Sequence, residues 1–191
     1  MAHYRKPVNT ACFDKWSRAM AYVLGYFAAD GSMYVNSHGA RYVGFASTDR
    51  DLLEQVRDLL RAGHAITLKS RNTRPAHWKP AYQLHRGGGE LFDGLQRHGF
   101  TPNKDGSMVL PAVPGEYMAD FVRGYFDGDG CISFGWSHKR DRCNPAFWVQ
   151  LCFSSGSFQF LEALDQVLQA LMGIAPGYLR HRPALGEFLY Y

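Results

Sequence analysis

The chain has no long apolar run. Its longest, Ala19 to Ala29, stops at Asp30 and already contains Tyr22, Gly25 and Tyr26, so it is too short to span a bilayer and reads as a buried helix. Cysteine is scarce: Cys12, Cys131, Cys143 and Cys152 form no C-x-x-C pair. They lack the density of a secreted disulfide scaffold and read as reduced thiols. The N-terminal stretch Met1-Ala2-His3-Tyr4-Arg5-Lys6-Pro7 carries no apolar core ahead of its polar residues, so no secretory signal is expected and an intracellular location, cytoplasmic or organellar, is. Charge of one sign is scarce too. The 21 Lys+Arg stand against 17 Asp+Glu, a net +4 that permits a nucleic-acid partner without demanding one. What is present is apolar and aromatic: 46% hydrophobic residues, 13 Phe, 11 Tyr and 4 Trp in 191 residues. That composition excludes disorder and suffices for a core without disulfides or structural metal.

The chain also repeats itself. Gly25-Tyr26-Phe27-Ala28-Ala29-Asp30-Gly31 recurs as Gly124-Tyr125-Phe126-Asp127-Gly128-Asp129-Gly130, with five identities in seven at an offset of 99. Farther on, Phe45, Leu53, Glu54, Val56 and Leu60 meet Phe153, Leu161, Glu162, Leu164 and Leu168 at an offset of 108. The second copy therefore holds nine extra residues, which fall in the polar stretch Ser137 to Pro145. A repeat changes the fold expectation before any residue is interpreted.

Each copy reads as the same series of elements. A helix (Trp16 to Ala29; Tyr117 to Gly128) stops at Asp-Gly, where a glycine can adopt a left-handed cap. Two strands follow (Ser32 to Asn36 and Arg41 to Ser47; Cys131 to Gly135 and Phe147 to Ser154), then a helix with apolar residues at helical spacing (Asp49 to Arg61; Phe158 to Met172). Two more strands come next (Ala65 to Arg71 and Pro80 to Arg86; Tyr178 to Arg182 and Glu187 to Tyr191). The first copy adds a helix, Glu90 to His98, and a Pro/Gly-rich linker. The expected fold is α+β: a pseudo-symmetric tandem of αββαββ units, residues 1–101 and 116–191 joined by 102–115, with antiparallel saddle-like sheets and two packed motif helices at the centre.

The motif helices carry the chemistry. Gly25 with Ala29, and Gly124 with Gly128, stand four apart and share a helix face. Small residues so spaced let two backbones approach closely, which would bring Asp30 and Asp129 side by side at adjacent helix ends. Two carboxylates there repel each other and the negative helix termini, so a cation is expected between them. Carboxylates beside free carbonyls, at Ala29 and Gly128, suit a hard divalent ion, with Mg²⁺ as the default.

The nine residues Val23 to Gly31 and Val122 to Gly130, with the element order around them, resemble the LAGLIDADG homing endonuclease family, in its monomeric two-motif subclass. The resemblance covers nearly the whole chain. It implies a site-specific double-strand DNA endonuclease, intron-encoded, acting as a monomer on a long pseudo-palindromic or asymmetric duplex. It also implies that Asp30 and Asp129 are catalytic metal ligands. Mn²⁺ would substitute for Mg²⁺, and Ca²⁺ would bind without supporting cleavage. Cuts across the minor groove leaving short 3′ overhangs are implied as well. The sixth motif position differs between copies, Ala28 against Asp127, and Asp127 lies on another side of its helix from Asp129, outside the metal site.

Strand alternation sorts the remaining polar residues. Tyr34 and Asn36 oppose Met33 and Val35; Thr67, Lys69 and Arg71 oppose Ile66 and Leu68; Gln83 and His85 oppose Tyr82 and Leu84. In the second copy Ser133 opposes Ile132, Gln150 opposes Val149 and Leu151, and Arg180 with Arg182 opposes Leu179. One face of each sheet is thus expected to be apolar and buried, the other polar to basic. A solvated outer sheet face generates the same alternation; with the motif, the polar faces read as surfaces for successive major grooves. Lys139 and Arg140, in the inserted loop, read as phosphate anchors, and His85 as a catalytic candidate late in the fourth strand.

Other signals are weak. Asp127-x-Asp129-Gly130 lacks the later ligands of a calcium loop, since Cys131 holds the third ligand position. Cys131, His138 and Cys143 fit no common zinc spacing. Gly87-Gly88-Gly89 lacks the Lys-Ser/Thr of a phosphate loop. Two rivals share the scaffold, an intron RNA-splicing maturase and a non-catalytic DNA-binding protein; the latter typically adds a helix-turn-helix module, for which the repeats leave no room.

Overall fold

The computed structural model describes residues 9–69, 77, 79–138 and 144–191. The chain forms two compact units: residues 1–104 with 111–128, and residues 105–110 with 129–191. The architecture is α+β, five helices and two four-stranded antiparallel sheets among the described residues.

In the first unit, a 3-10 turn (Thr10–Phe13) precedes α1 (Arg18–Asp30), whose start is capped by the Ser17 hydroxyl accepting from Met20 N at 3.1 Å. Strands β1 (Gly31–Val35) and β2 (Arg41–Ser47), helix α2 (Arg50–Leu59), strands β3 (Thr67–Leu68) and β4 (Tyr82–Gly87) and helix α3 (Gly89–Arg97) follow. The sheet order is β1-β2-β4-β3. Its register places Met33 opposite Val43 and Phe45 opposite Leu84, and all four are buried. Phe27 from α1 meets Phe45 edge-on at 5.7 Å and Phe100 at 5.1 Å. Leu53 and Val56 of α2, with Leu91, Phe92 and Leu95 of α3, complete the core over the same face. The unit closes with α4 (Gly115–Asp129), whose last residue already belongs to the second unit.

Two local expectations change. Gly31 is not left-handed; it is extended at φ −80°, ψ 151°, so β1 begins without a turn. Glycine is required there for space, because a Cβ would lie 2.2 Å from the Phe27 ring. Among the described residues the third strand, expected over Ala65 to Arg71, is laddered at Thr67–Leu68, with Lys69 N donating to Ala81 O at 2.8 Å just beyond, as suits an edge strand with one partner; Arg71 lies outside the described residues.

The second unit has β5 (Gly130–Ser137), β6 (Ala146–Ser155), α5 (Phe158–Met172), β7 (Leu179–Arg182) and β8 (Glu187–Tyr190), with sheet order β5-β6-β8-β7. Ser157 caps α5, accepting from Phe160 N at 3.3 Å while donating to Met108 O at 2.7 Å. The core joins Phe153 and Tyr190 to Phe160, Leu161 and Leu164.

The expected burial of this sheet's apolar face fails. Ile132, Phe134 and Trp136 pair with Leu151, Val149 and Phe147 across β5 and β6. They share a face with buried Phe153, yet all six are exposed, Phe134 to 70%. Ile132, Val149 and Leu151 do lie on the face that alternation gives them, but α5 covers the end near Phe153 and not theirs. Nothing equivalent to α3 follows β8 among the described residues.

Within the first unit, α1 and α4 touch through backbone. A Cβ on Gly25 would sit 2.0 Å from the Phe121 carbonyl oxygen and 2.9 Å from Tyr125 N; on Gly124 it would sit 2.1 Å from the Tyr22 carbonyl oxygen and 2.9 Å from Tyr26 N. Each glycine meets the repeat-equivalents of the residues that its counterpart meets, so the crossing is a local pseudo-twofold. Gly25→Ala or Gly124→Ala should therefore lower stability by about 1–3 kcal/mol through overpacking. Gly115→Ala, at the open start of α4 where a Cβ meets nothing within 4 Å, should cost nothing. Urea unfolding midpoints of the three variants check this.

Candidate functional site

The α1–α4 crossing brings Gly128 against the end of α1. A Cβ there would lie 2.4 Å from Ala29 Cβ and 3.5 Å from an Asp30 carboxylate oxygen. Asp30 is half-buried. Burial raises its carboxyl above the ordinary carboxylate range, opposed first by the Lys104 ammonium and then by Lys69.

Lys104, which the sequence pattern does not single out, lies at the end of α1. Only 6% exposed, it donates from Nζ to the carbonyls of Ala28 at 2.8 Å and Ala29 at 3.1 Å. It thus satisfies the carbonyls that α1 leaves unpaired and places a cation on the helix's negative end. It follows Asn103, held at φ 61°, in a Pro/Gly-rich stretch with no periodicity to mark a buried position. Only burial identifies it.

Asp127 is engaged elsewhere in the first unit, accepting from the Tyr22 hydroxyl at 2.8 Å, while the Arg123 guanidinium lies 4.6 Å over the Tyr22 ring. Asp129, in the second unit, has its backbone carbonyl oxygen bonded by the Ser154 hydroxyl at 3.3 Å. No cluster of three or more metal-ligating His, Cys, Asp or Glu side chains occurs among the described residues.

The polar face of the first sheet carries Tyr34, Tyr42, Gln83, His85 and Thr67. Tyr34 stacks on Tyr42 at 5.0 Å and lies 6.0 Å from the His85 ring. Gly44, across from His85 in the register, leaves room for that ring, since a Cβ would sit 2.4 Å from it. Gln83 reaches Thr67 across the β3–β4 pair at 3.5 Å. Lys69 is exposed just beyond β3. Asn36 differs from expectation: its Oδ1 accepts from His38 N and Ala40 N at 3.0 and 2.8 Å, which builds the β1–β2 turn.

On the second sheet, Ser133 pairs with Gln150, and Arg180 lies opposite Leu189; all three polar residues are exposed. Arg182 is held by Glu187 in a 3.1 Å ion pair. Arg71, Lys139 and Arg140 lie outside the described residues.

The LAGLIDADG-like domain family matches residues 17–98 and 116–190, both halves of this arrangement. The chain belongs to the LAGLIDADG family. Solved structures agree on the fold. The I-LtrWI LAGLIDADG homing endonuclease bound to target DNA superposes with a TM-score of 0.60 at 11% identity, covering 91% of this chain and 77% of that one. Mesophilic variants of the homing endonuclease I-DmoI give 0.59 at 14% identity, covering 95% and 88%. I-SmaMI bound to an uncleaved DNA target in the presence of calcium ions gives 0.56 at 12%, covering 92% and 79%. No curated protein matches the chain in sequence. No helix among the described residues of this LAGLIDADG chain is long and apolar enough to cross a membrane.

The Asp30 environment sets a pH dependence. Because its proton affinity is higher in the folded than in the unfolded chain, the folded state binds more protons once pH exceeds ~4, and stability falls as pH rises through the raised folded value. In chelator-treated buffer, Asp30→Asn should abolish that fall and leave the protein more stable than wild type at neutral pH. Lys104→Met should steepen the fall and cost about 1–3 kcal/mol by leaving buried carbonyls unpaired. Urea midpoints measured across the acid-to-neutral range test both signs.

Proposed function

We propose that this chain is a site-specific double-strand DNA endonuclease, hydrolysing phosphodiester bonds with divalent metal held by Asp30 and Asp129. The observation that carries the reading is the backbone-to-backbone crossing of the duplicated motif helices, which sets Gly128 beside Ala29 and the Asp30 carboxylate, where burial disfavours the ionised form. A site that disfavours its own ionised carboxylate has a use for an added cation, so the residues present fit a hard divalent ion. Ala29 and Gly128 are the proposed carbonyl ligands; the Ala29 oxygen already accepts from Lys104, and a carbonyl has a second lone pair to offer. Mg²⁺ is the proposed ion, with Mn²⁺ as a substitute and Ca²⁺ as a binder that does not support cleavage. When bound, the ion would supply charge neutralisation at the phosphate and a more acidic water.

The chain's own residues do the rest. Lys104, fixed by two carbonyls, holds positive charge beside Asp30 without a mobile side chain's reorganisation. Lys69 adds a second cation from the sheet. His85, exposed between Tyr34 and Gly44, is the proposed proton carrier or water-ordering group.

Recognition is assigned to the polar sheet faces. Tyr34, Thr67, Lys69, Gln83, Ser133, Gln150 and Arg180 present the donors, acceptors and planar groups that read base edges. Arg71 belongs to this group by sequence position, and Lys139 and Arg140 by composition serve the phosphates. Asn36 and Arg182 take lesser roles, because the turn and Glu187 already engage them. The partner is duplex DNA, bound by a single chain.

Asp30→Asn and Asp129→Asn should each abolish double-strand cleavage in Mg²⁺ while leaving sequence-specific binding near wild type. Selection of cleaved sites from a randomised duplex library, followed by cleavage and binding titrations of the variants on the selected site, tests this. Wild-type cleavage by either variant would overturn the assignment. On the same site, Arg180→Ala should cost roughly 1–3 kcal/mol at one base position and relax preference there. A loss spread evenly over all positions in binding to single-base-substituted targets would place Arg180 on the phosphates.

A further inference from the structure

Cys131 and Cys152 stand directly opposite one another in the β5–β6 ladder, flanked by the pairs Gly130 with Phe153 and Ile132 with Leu151. Opposed residues in an antiparallel pair project from the same sheet face, with Cα atoms about 4.5–5.5 Å apart. That span lies inside the roughly 4.4–6.8 Å that a disulfide bridges without backbone movement. Both thiols are free; Cys131 is exposed and Cys152 half-buried, whereas Cys12 is sealed in the core. Among their contacts, Cys131 Sγ lies 3.8 Å from Ser133 Oγ, and Cys152 Sγ lies 3.7 Å from the Phe153 carbonyl oxygen and hydrogen-bonds Tyr191.

We propose that Cys131 and Cys152 form a site of reversible oxidative modification, a cross-strand disulfide made by exchange with a low-molecular-weight disulfide such as oxidised glutathione. The chemistry balances in two exchanges. The Cys131 sulfur, having lost its proton to solvent, attacks one sulfur of the oxidant, and the first glutathione leaves as its thiolate. The Cys152 sulfur, likewise deprotonated, attacks the Cys131 sulfur of the mixed disulfide and expels the second glutathione. Two protein thiols are oxidised, one disulfide is reduced to two thiols, and the two protons released to solvent balance the two thiolates. Exposure makes Cys131 the entry point, and the register supplies the resolving sulfur without backbone movement.

The position gives the bond consequences. It would staple β5 to β6 one pair beyond Gly130, and Ser154, two residues past Cys152, bonds the Asp129 carbonyl oxygen. It would also close the β5–β6 hairpin covalently and constrain the unfolded chain. Formation of the bond does not depend on the nuclease reading; its effect on DNA does.

The test uses the folded full chain in oxidised glutathione, quenched by alkylation, digested without reductant and weighed. The expected product is a peptide pair joining Cys131 to Cys152, lighter by two hydrogens, reversed by dithiothreitol and absent from Cys131→Ser and Cys152→Ser. Cys152→Ala serves where a hydroxyl is poorly accommodated at the half-buried position. Oxidised wild type should also unfold at higher urea than reduced wild type. Glutathione retained on Cys131 beside a free Cys152 would overturn the proposal, as would a bond to Cys143 or to a second molecule. Repeating the oxidation with the selected duplex bound separates the two readings. Slower cross-linking supports DNA on this face, whereas an unchanged rate counts against that face assignment and leaves the disulfide standing.

Discussion

The first unit depends on one contact, the crossing where two backbones meet with no side chain between them. A Cβ at Gly25 or Gly124 would overlap the opposing carbonyl oxygen at 2.0 or 2.1 Å, far inside any tolerated separation, so the helices could not lie at this distance with any other residue there. The close approach fixes the rest of the helix end. It brings Gly128 onto Ala29 and leaves the Asp30 carboxylate at a crowded, partly desolvated terminus. Packing of this kind is stiff, because interiors at crystal-like density do not yield by fractions of an ångström without cost. A site built on it inherits that stiffness, which is what the proposed ion-holding role of Asp30 would need.

Stability and chemistry pull against each other at that terminus. The carboxylate is disfavoured by burial and stands where the helix is already negative. Lys104 answers the helix by bonding its last carbonyls directly, and answers Asp30 only through space. The compensation is therefore partial, leaving Asp30 less ionisable than a surface carboxylate. A carboxylate kept in so unfavourable a place is a cost to folding that the proposed cation would offset.

Sequence reasoning reached as far as its physical basis extends. The duplicated heptad, the alternation along β2 and β4 and the apolar spacing of α5 are local periodicities, and the elements they predict lie within a few residues of the observed ones. The small face of α1 was legible because helical geometry places Gly25 and Ala29 in line. Lys104 was not, since a buried lysine in an aperiodic stretch leaves no pattern, and its partners lie more than seventy positions away. Nor was the fate of Asn36 and Arg182 legible. A residue type announces hydrogen-bonding capacity, whereas the turn and the cross-strand Glu187 decide how much of it remains.

The second sheet marks the same boundary from the other side. Alternation assigns Ile132, Val149 and Leu151 to one face, and the register agrees and adds Phe134, Trp136 and Phe147. It cannot say what lies on that face. In the first unit the corresponding surface is covered by α2 and α3, with Leu91, Phe92 and Leu95 inserted from α3. In the second, α5 packs near Phe153, and the apolar residues beyond it are exposed. Six exposed apolar side chains in one ladder form a contiguous patch, unlike the single scattered apolar residues ordinary on a surface. The same ladder, turned over, presents Cys131, Ser133, Gln150 and Cys152. β5 and β6 thus set an apolar surface back to back with a reactive polar one, and any strand movement caused by changing one face is transmitted to the other through a single layer of backbone.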